Sequence, residues 1–205
     1  MKKLLLLTLL LLTGSLSAAA PSGNVQLTAV TEPVICDGFY IVPVPKSKWK
    51  LIVNSSKLQR RTVGFAIVDP ADKLHTMLAS VSISPPLQGF MRENMSLATL
   101  NERIEKYYTR NLDSRVKELK VTSRYTTINK VKFAEISASA WDAGSKYAVP
   151  AAKLMLYARI FVTFTPDYRM VTISVSERIP GDSKKPDNEA VEAFIKMVHL
   201  GKPEK

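Results

Sequence analysis

The stretch KLMLYARIFVTF at 153–164 constrains the fold more than any other part of the chain. Leu154, Leu156, Ala158, Ile160, Val162 and Phe164 fall on one side of an extended backbone, and Met155, Tyr157, Arg159, Phe161 and Thr163 on the other. This is strand periodicity, with large apolar groups on both sides, so the strand is expected to be covered on both faces. Thr165-Pro166-Asp167 is a turn signal, and YRMVTISVSE behind it reads as the antiparallel partner.

The neighbouring segments fit the same sheet. GFYIVPV is a short apolar strand whose Pro43 and Pro45 favour an edge or a strand end. RTVGFAIVDP is a second strand stopping at Asp69-Pro70, and HTMLASVSIS a third, alternating Met77, Ala79, Val81 and Ile83 and ending at Pro85-Pro86. KELKVTSRYTTI and VKFAEISASAW flank Asn129-Lys130, a hairpin turn. The period changes at 96–112, where Leu97, Leu100, Ile104, Tyr107, Tyr108 and Leu112 recur at helical spacing behind the N-cap residue Ser96. A second helix is expected after Asp187, carrying Val191, Phe194, Ile195 and Val198 and closed by Gly201.

Hairpin-linked strands with two helices imply an α+β domain, and strands apolar on both sides imply an antiparallel β-sheet covered by helices on both faces. In this order the chain resembles the PsbP-like family of α/β/α sandwiches, which also includes the DcrB-like bacterial envelope proteins. The resemblance spans Phe39 to Leu200 and is carried by YIVPVPKSKW, SRYTTINKVKFAEISAS and ARIFVTFTPDYRMVTISVSE…EAVEAFIKMVHLG. It implies a non-enzymatic domain that assists or docks onto a larger complex, and it brings no active-site residues with it.

The first residues give the destination. Lys2 and Lys3, the apolar run Leu4–Leu12 and the small residues Ser17-Ala18-Ala19-Ala20 have the layout of a secretory signal peptide, too short for a membrane span. The expected division is therefore a signal peptide at 1–20, a polar tether at 21–37, one α+β domain at 38–201 and a tail at 202–205. A periplasmic or secreted bacterial protein follows, with cleavage after Ala19 or Ala20 and no membrane span left. Cys36 is the only cysteine, so one chain builds no disulfide framework. It reads as a small buried hydrophobe, with an intermolecular disulfide or a redox thiol as the alternatives.

Little else looks like chemistry. His75 and His199, the only histidines, have no zinc-ligand spacing around them. No G-x-S-x-G and no G-x-G occurs, which removes the nucleophile elbow and the phosphate-cradling loops. Glu102 and Glu105 stand beside Arg103, Lys106 and Arg110 as a salt-laced solvent face. Asp182, Asp187, Glu189 and Glu192 lack the calcium-loop pattern and read as helix capping. No metal and no cofactor is expected.

Two features carry functional content. The loop SPPLQGFMRENMS presents Phe90 and Met91, which either fold over the core or contact a partner. Between residues 46 and 61, Lys46, Lys48, Lys50, Lys57, Arg60 and Arg61 occur with no Asp or Glu. If KWKLIV is extended, Lys48 and Lys50 share one face while Trp49 and Leu51 pack on the other. The run is then a solvated stripe or a surface for an envelope protein or an anionic cell-envelope polymer. Nucleic acid is not an expected partner, since no recognition module accompanies the charge. The leading expectation is an exported docking module. A small-ligand binder with a pocket between sheet and helix is the alternative, and a cryptic hydrolase comes third.

Overall fold

In a computed structural model the described residues are 26–53, 61–68, 76–86, 96, 98–99, 101–102, 105–106, 116–142, 154–180 and 185–203. The strands are β1 (Gln26–Ala29), β2 (Val34–Ile35), β3 (Phe39–Ile41), β4 (Lys50–Val53), β5 (Thr62–Val68) and β6 (Thr76–Pro86). They continue with β7 (Val116–Ile128), β8 (Val131–Asp142), β9 (Leu154–Phe164), β10 (Arg169–Pro180) and, after helix α1 (Asn188–Met197), β11 (Val198–Leu200). Eight of them form one antiparallel sheet in the order β1-β4-β5-β6-β10-β9-β8-β7, and β11-β3-β2 form a small second sheet. β1 lies within the stretch read as a tether and pairs with β4 through Gln26–Val53 to Ala29–Lys50.

The alternation at 154–164 sets the two faces. Phe161 lies opposite Ile173 on β10, and both belong to the main core with Phe65, Val81 and Phe133. Val191, Phe194, Ile195 and Met197 of α1 cover this near face, and Phe39 and Ile41 of the small sheet join the same core. Phe194 sits between Trp49 (ring centroids 4.9 Å apart) and Phe65 (5.2 Å), tilted against both, as aromatic quadrupoles prefer. On the far face Ile136, Leu156, Ala158, Ile160, Val162 and Met170 form a second, smaller cluster.

The expected α/β/α sandwich, an antiparallel β-sheet covered by helices on both faces, is not what forms. The described residues are mostly strand, and α1 covers one face only. Two physical facts separate the expectation from the outcome. Part of the near-face cover comes from β-structure, the β11-β3-β2 sheet, and not from a second helix. On the far face β10 presents the buried hydroxyls of Thr172, Ser174 and Ser176 beside the apolar cluster, where its near face presents Val171, Ile173 and Val175. Helical backbone at 98–99, 101–102 and 105–106 reaches β7, where Asn101 Nδ2 donates to Ser123 Oγ at 2.7 Å. Glu102 and Lys106 form the expected ion pair there.

The last helix is also shorter than expected. Asp187 does cap it, accepting from the Ala190 N–H at 2.9 Å. Val198, however, is extended and pairs with Ile41, because β3 offers an open edge and a β-branched residue fits it. Gly201 turns the chain after β11 at φ +92° and donates its N–H to Gly38 O. His199 thus lies in a strand, stacked on Tyr40 with centroids 5.1 Å apart. The Asn129-Lys130 turn takes left-handed φ values of 46° and 67°, the requirement of a two-residue hairpin. Its Asn129 side chain donates to the carbonyls of Lys196 and Val198, which the helix end leaves unsatisfied.

Arg169 locks the small sheet to the large one. Its Nε donates to Ser84 O at 3.0 Å, and its two terminal nitrogens reach Asp37 Oδ1 and Oδ2 at 3.2 and 2.8 Å. Hydrogen bonding from Arg169, with the charges of Arg169 and Arg61 behind it, holds the Asp37 carboxyl below its ordinary value of 3.8. A lowered folded-state value stabilises above the unfolded value and is lost as pH falls through the folded one. The Asp37→Asn variant is therefore expected to melt below the wild type at neutral pH, with the gap closing as the pH drops below the ordinary aspartate range. A gap constant down to strong acid in thermal melts would mean that the charge of Asp37 contributes nothing.

Candidate functional site

The basic run is built around an anchor. Pro45-Lys46 forms a turn with Lys46 at φ 61°, closed by the Ser47 N–H donating to Val44 O at 3.0 Å. Trp49 follows, 2% exposed, with its indole N–H donating to Ala190 O on α1 at 3.0 Å. Lys48 precedes β4 and Lys50 opens it, and both are exposed, as is Lys46. Arg61 lies apart from them, 3.7 Å from Asp37, with both side chains about half exposed. Lys57 and Arg60 lie outside the described residues, as do Phe90 and Met91 of the candidate contact loop, His75 and the signal segment. Among the described residues, then, Lys46, Lys48 and Lys50 are brought onto one stretch of surface, and Arg61 is tied to the β2–β3 junction. Cys36 is half-buried, unbridged, and its thiol is pushed up by burial, away from thiolate chemistry.

A charged network on the near face escapes sequence reading. Glu135 on β8 is 1% exposed, yet both its oxygens are engaged. Oε2 accepts from Arg124 Nε at 2.7 Å, and Oε1 accepts from Arg159, from Nε at 2.8 Å and from the second terminal nitrogen at 2.7 Å. The other terminal nitrogen of Arg159 meets Glu192 on α1 at 2.9 Å, so one guanidinium joins sheet and helix. The Glu135 carboxylate in turn raises the pKa of Arg124 further, through its hydrogen bond and charge. With both oxygens occupied by guanidinium donors, the Glu135 carboxylate ties β8 to β7 and β9 and, through Arg159, to α1. The only sequence signal was one Arg and one Glu isolated within apolar strands. Such residues have to find each other, but sequence does not say across which strands.

Beside the network, a groove runs between α1 and the sheet. One part, about 360 Å³, has Val175, Val191 and Tyr157 with Lys120, Ser139 and Glu177 along it. It adjoins a recess of about 500 Å³ that includes Arg124, Glu135, Arg159 and Glu192. The Glu177 carboxylate accepts the Asp187 N–H at 2.9 Å and so fixes the helix entrance at one end of the groove. Among the described residues no group of three His, Cys, Asp or Glu side chains is placed to hold a metal ion. No described helix is long and apolar enough to cross a membrane.

The described residues form a β-rich domain in which α1 covers one face of the large sheet, with an ionic strut beneath it and exposed lysines just before and at the start of β4. No protein-family model matches the chain, and no curated protein does. Solved structures similar to it include LpqN, involved in cell envelope biogenesis of Mycobacterium tuberculosis, at 13% identity and a TM-score of 0.48, covering 87% of this chain and 92% of that one. Cyanobacterial PsbP from Synechocystis is similar at 12% identity and 0.49, covering 91% and 99%. The yeast Ran-binding protein Mog1p is similar at 12% identity and 0.42, covering 87% and 96%.

Proposed function

We propose that this chain is an exported, non-catalytic interaction module that docks onto an anionic envelope partner through the basic run beginning at Lys46. The observation that carries the reading is the locked Trp49 between two outward lysines. Because the indole is held by α1, Lys48 just before β4 and Lys50 at its first position flank a fixed anchor, which favours recognition over a mobile charged tail. The signal-like first twenty residues supply the route to the envelope.

The variant with Lys46, Lys48 and Lys50 changed to Gln tests the reading. Wild type is expected to be retained on an immobilised polyglutamate matrix and on the envelope fraction, and to be released steeply by salt, since exposed charges are screened over about 8 Å at physiological ionic strength. The variant should elute at low salt while its melting temperature stays nearly unchanged, because exposed charges contribute little to stability. Equal retention of both proteins at every salt concentration would reduce the run to a solvated face.

The groove supports a second reading, a binder of a small amphipathic ligand. Its volume of about 360 Å³ is at the low end for ligand pockets, and apolar walls alternate with polar groups. A ligand held there would raise the melting temperature independently of salt, and Tyr157→Ala would abolish that shift.

A further inference from the structure

The large sheet ends in an unusually long edge. β7 is thirteen residues long and is the last strand beyond β8. A register shift between Lys117 and Lys120, with Glu118 at φ 55°, places a bulge at its start and leaves 120–128 in regular pairing. In a two-residue hairpin the flanking pair Ile128–Val131 exchanges both backbone hydrogen bonds, so Thr126, Arg124 and Thr122 also direct theirs to β8. Val121, Ser123, Tyr125 and Thr127 therefore point their N–H and C=O groups outward, and among the described residues no strand pairs with them.

The side chains along this edge have one sign. Residues 116–132 contain Lys117, Lys120, Arg124, Lys130 and Lys132 against the single acid Glu118. Lys120 and Arg124 lie on the near face, two positions either side of Thr122, and Arg124 stays 68% exposed although its Nε is bonded to Glu135. On the far face Tyr125 is 58% exposed and carries the Lys132 ammonium 4.2 Å from its ring centroid.

We propose that β7 is a strand-addition site for an extended acidic segment of a partner protein, which pairs antiparallel as a ninth strand with acidic side chains opposite Lys120 and Arg124. This goes beyond the docking run at Lys46, which lies toward the other edge of the sheet. Charge selects the occupant. Pairing a second copy of β7 sets Lys120 and Arg124 of both chains on one face, and like charges across strands repel. An acidic strand reverses that term and fills the outward backbone groups. Lys120 and Thr122 also line the groove, so the near-face side chains of the segment hang at its mouth.

The probe is a capped eight-residue peptide alternating Thr and Glu. In the antiparallel register its Glu residues lie opposite Lys120, Thr122 and Arg124 with their N–H groups turned away, and the Thr N–H groups bond to β7. Binding is expected to slow amide exchange at Val121, Ser123, Tyr125 and Thr127 by about tenfold or more. N-methylation of the Thr amides is expected to abolish binding, whereas N-methylation of the Glu amides leaves it. Lys120→Glu should weaken binding about tenfold, since it turns an attractive cross-strand pair into a repulsive one. Lys48→Gln with Lys50→Gln should leave it unchanged, which separates this site from the docking run. Equal binding by both methylated peptides, equal binding by a Thr-Lys peptide, or no protection of the four amides would overturn the proposal.

Discussion

Replacing Trp49 with Ala is expected to remove a large share of the domain's stability. The side chain is 2% exposed and touches Phe194 at 4.9 Å between centroids. Removing a buried aromatic costs about 3–5 kcal/mol through lost transfer energy and the cavity left behind. The Ala190 carbonyl on α1 loses its indole donor as well. Most single domains hold only about 5–15 kcal/mol in total, so the loss is a large share. Urea titration should show a lower midpoint at unchanged slope, and Trp49→Phe, which keeps most of the apolar volume, should recover much of the difference. A midpoint within error of wild type for Trp49→Ala would show that the tryptophan anchors nothing, and the fixed anchor between Lys48 and Lys50 would go with it.

Arg159→Met is expected to cost about 3 kcal/mol or more, because it leaves the Glu135 carboxylate buried with Arg124 as its remaining partner. Deleting one member of a buried pair is worse than deleting both. Glu135→Gln in the Arg159→Met background should therefore recover part of the loss, giving a coupling energy of about 1–3 kcal/mol in a double-mutant cycle. Glu192→Gln should matter much less, since that carboxylate is 45% exposed and salt bridges at such positions are weak. Additive single effects in chemical denaturation would mean that Glu135 and Arg159 do not act as a unit.

Much of the sheet was legible because strand signals here are local. The period of two at 154–164, the left-handed Asn129-Lys130 turn and the Thr165-Pro166-Asp167 loop each specify backbone geometry within a few residues. The same locality placed Trp49 inward and Lys48 and Lys50 outward, since alternate side chains of an extended chain take opposite faces. The Asp187 cap was readable for the same reason, as it needs only the Ala190 N–H three residues on.

The candidate sites were less legible. Apolar residues on both sides of a strand say that both faces are covered, but not by what. That is why helices were expected where β11-β3-β2 supplies part of the cover. Helical spacing through Val198 was real, yet pairing with Ile41 took that residue into a strand, because an open β3 edge competes with helix propagation.

By itself, then, the sequence determined the strand alternation, the turns, the outward lysines and the scarcity of catalytic motifs, all set by backbone geometry and side-chain chemistry over short separations. Only the tertiary structure decided that Arg159 bridges Glu135 and Glu192, that Arg169 clamps Asp37, and that β7 ends the sheet with its outer hydrogen-bonding groups unpaired by any described strand. Each of these depends on which distant strands become neighbours. That is settled by burial and pairing across more than twenty residues, for which no local pattern exists.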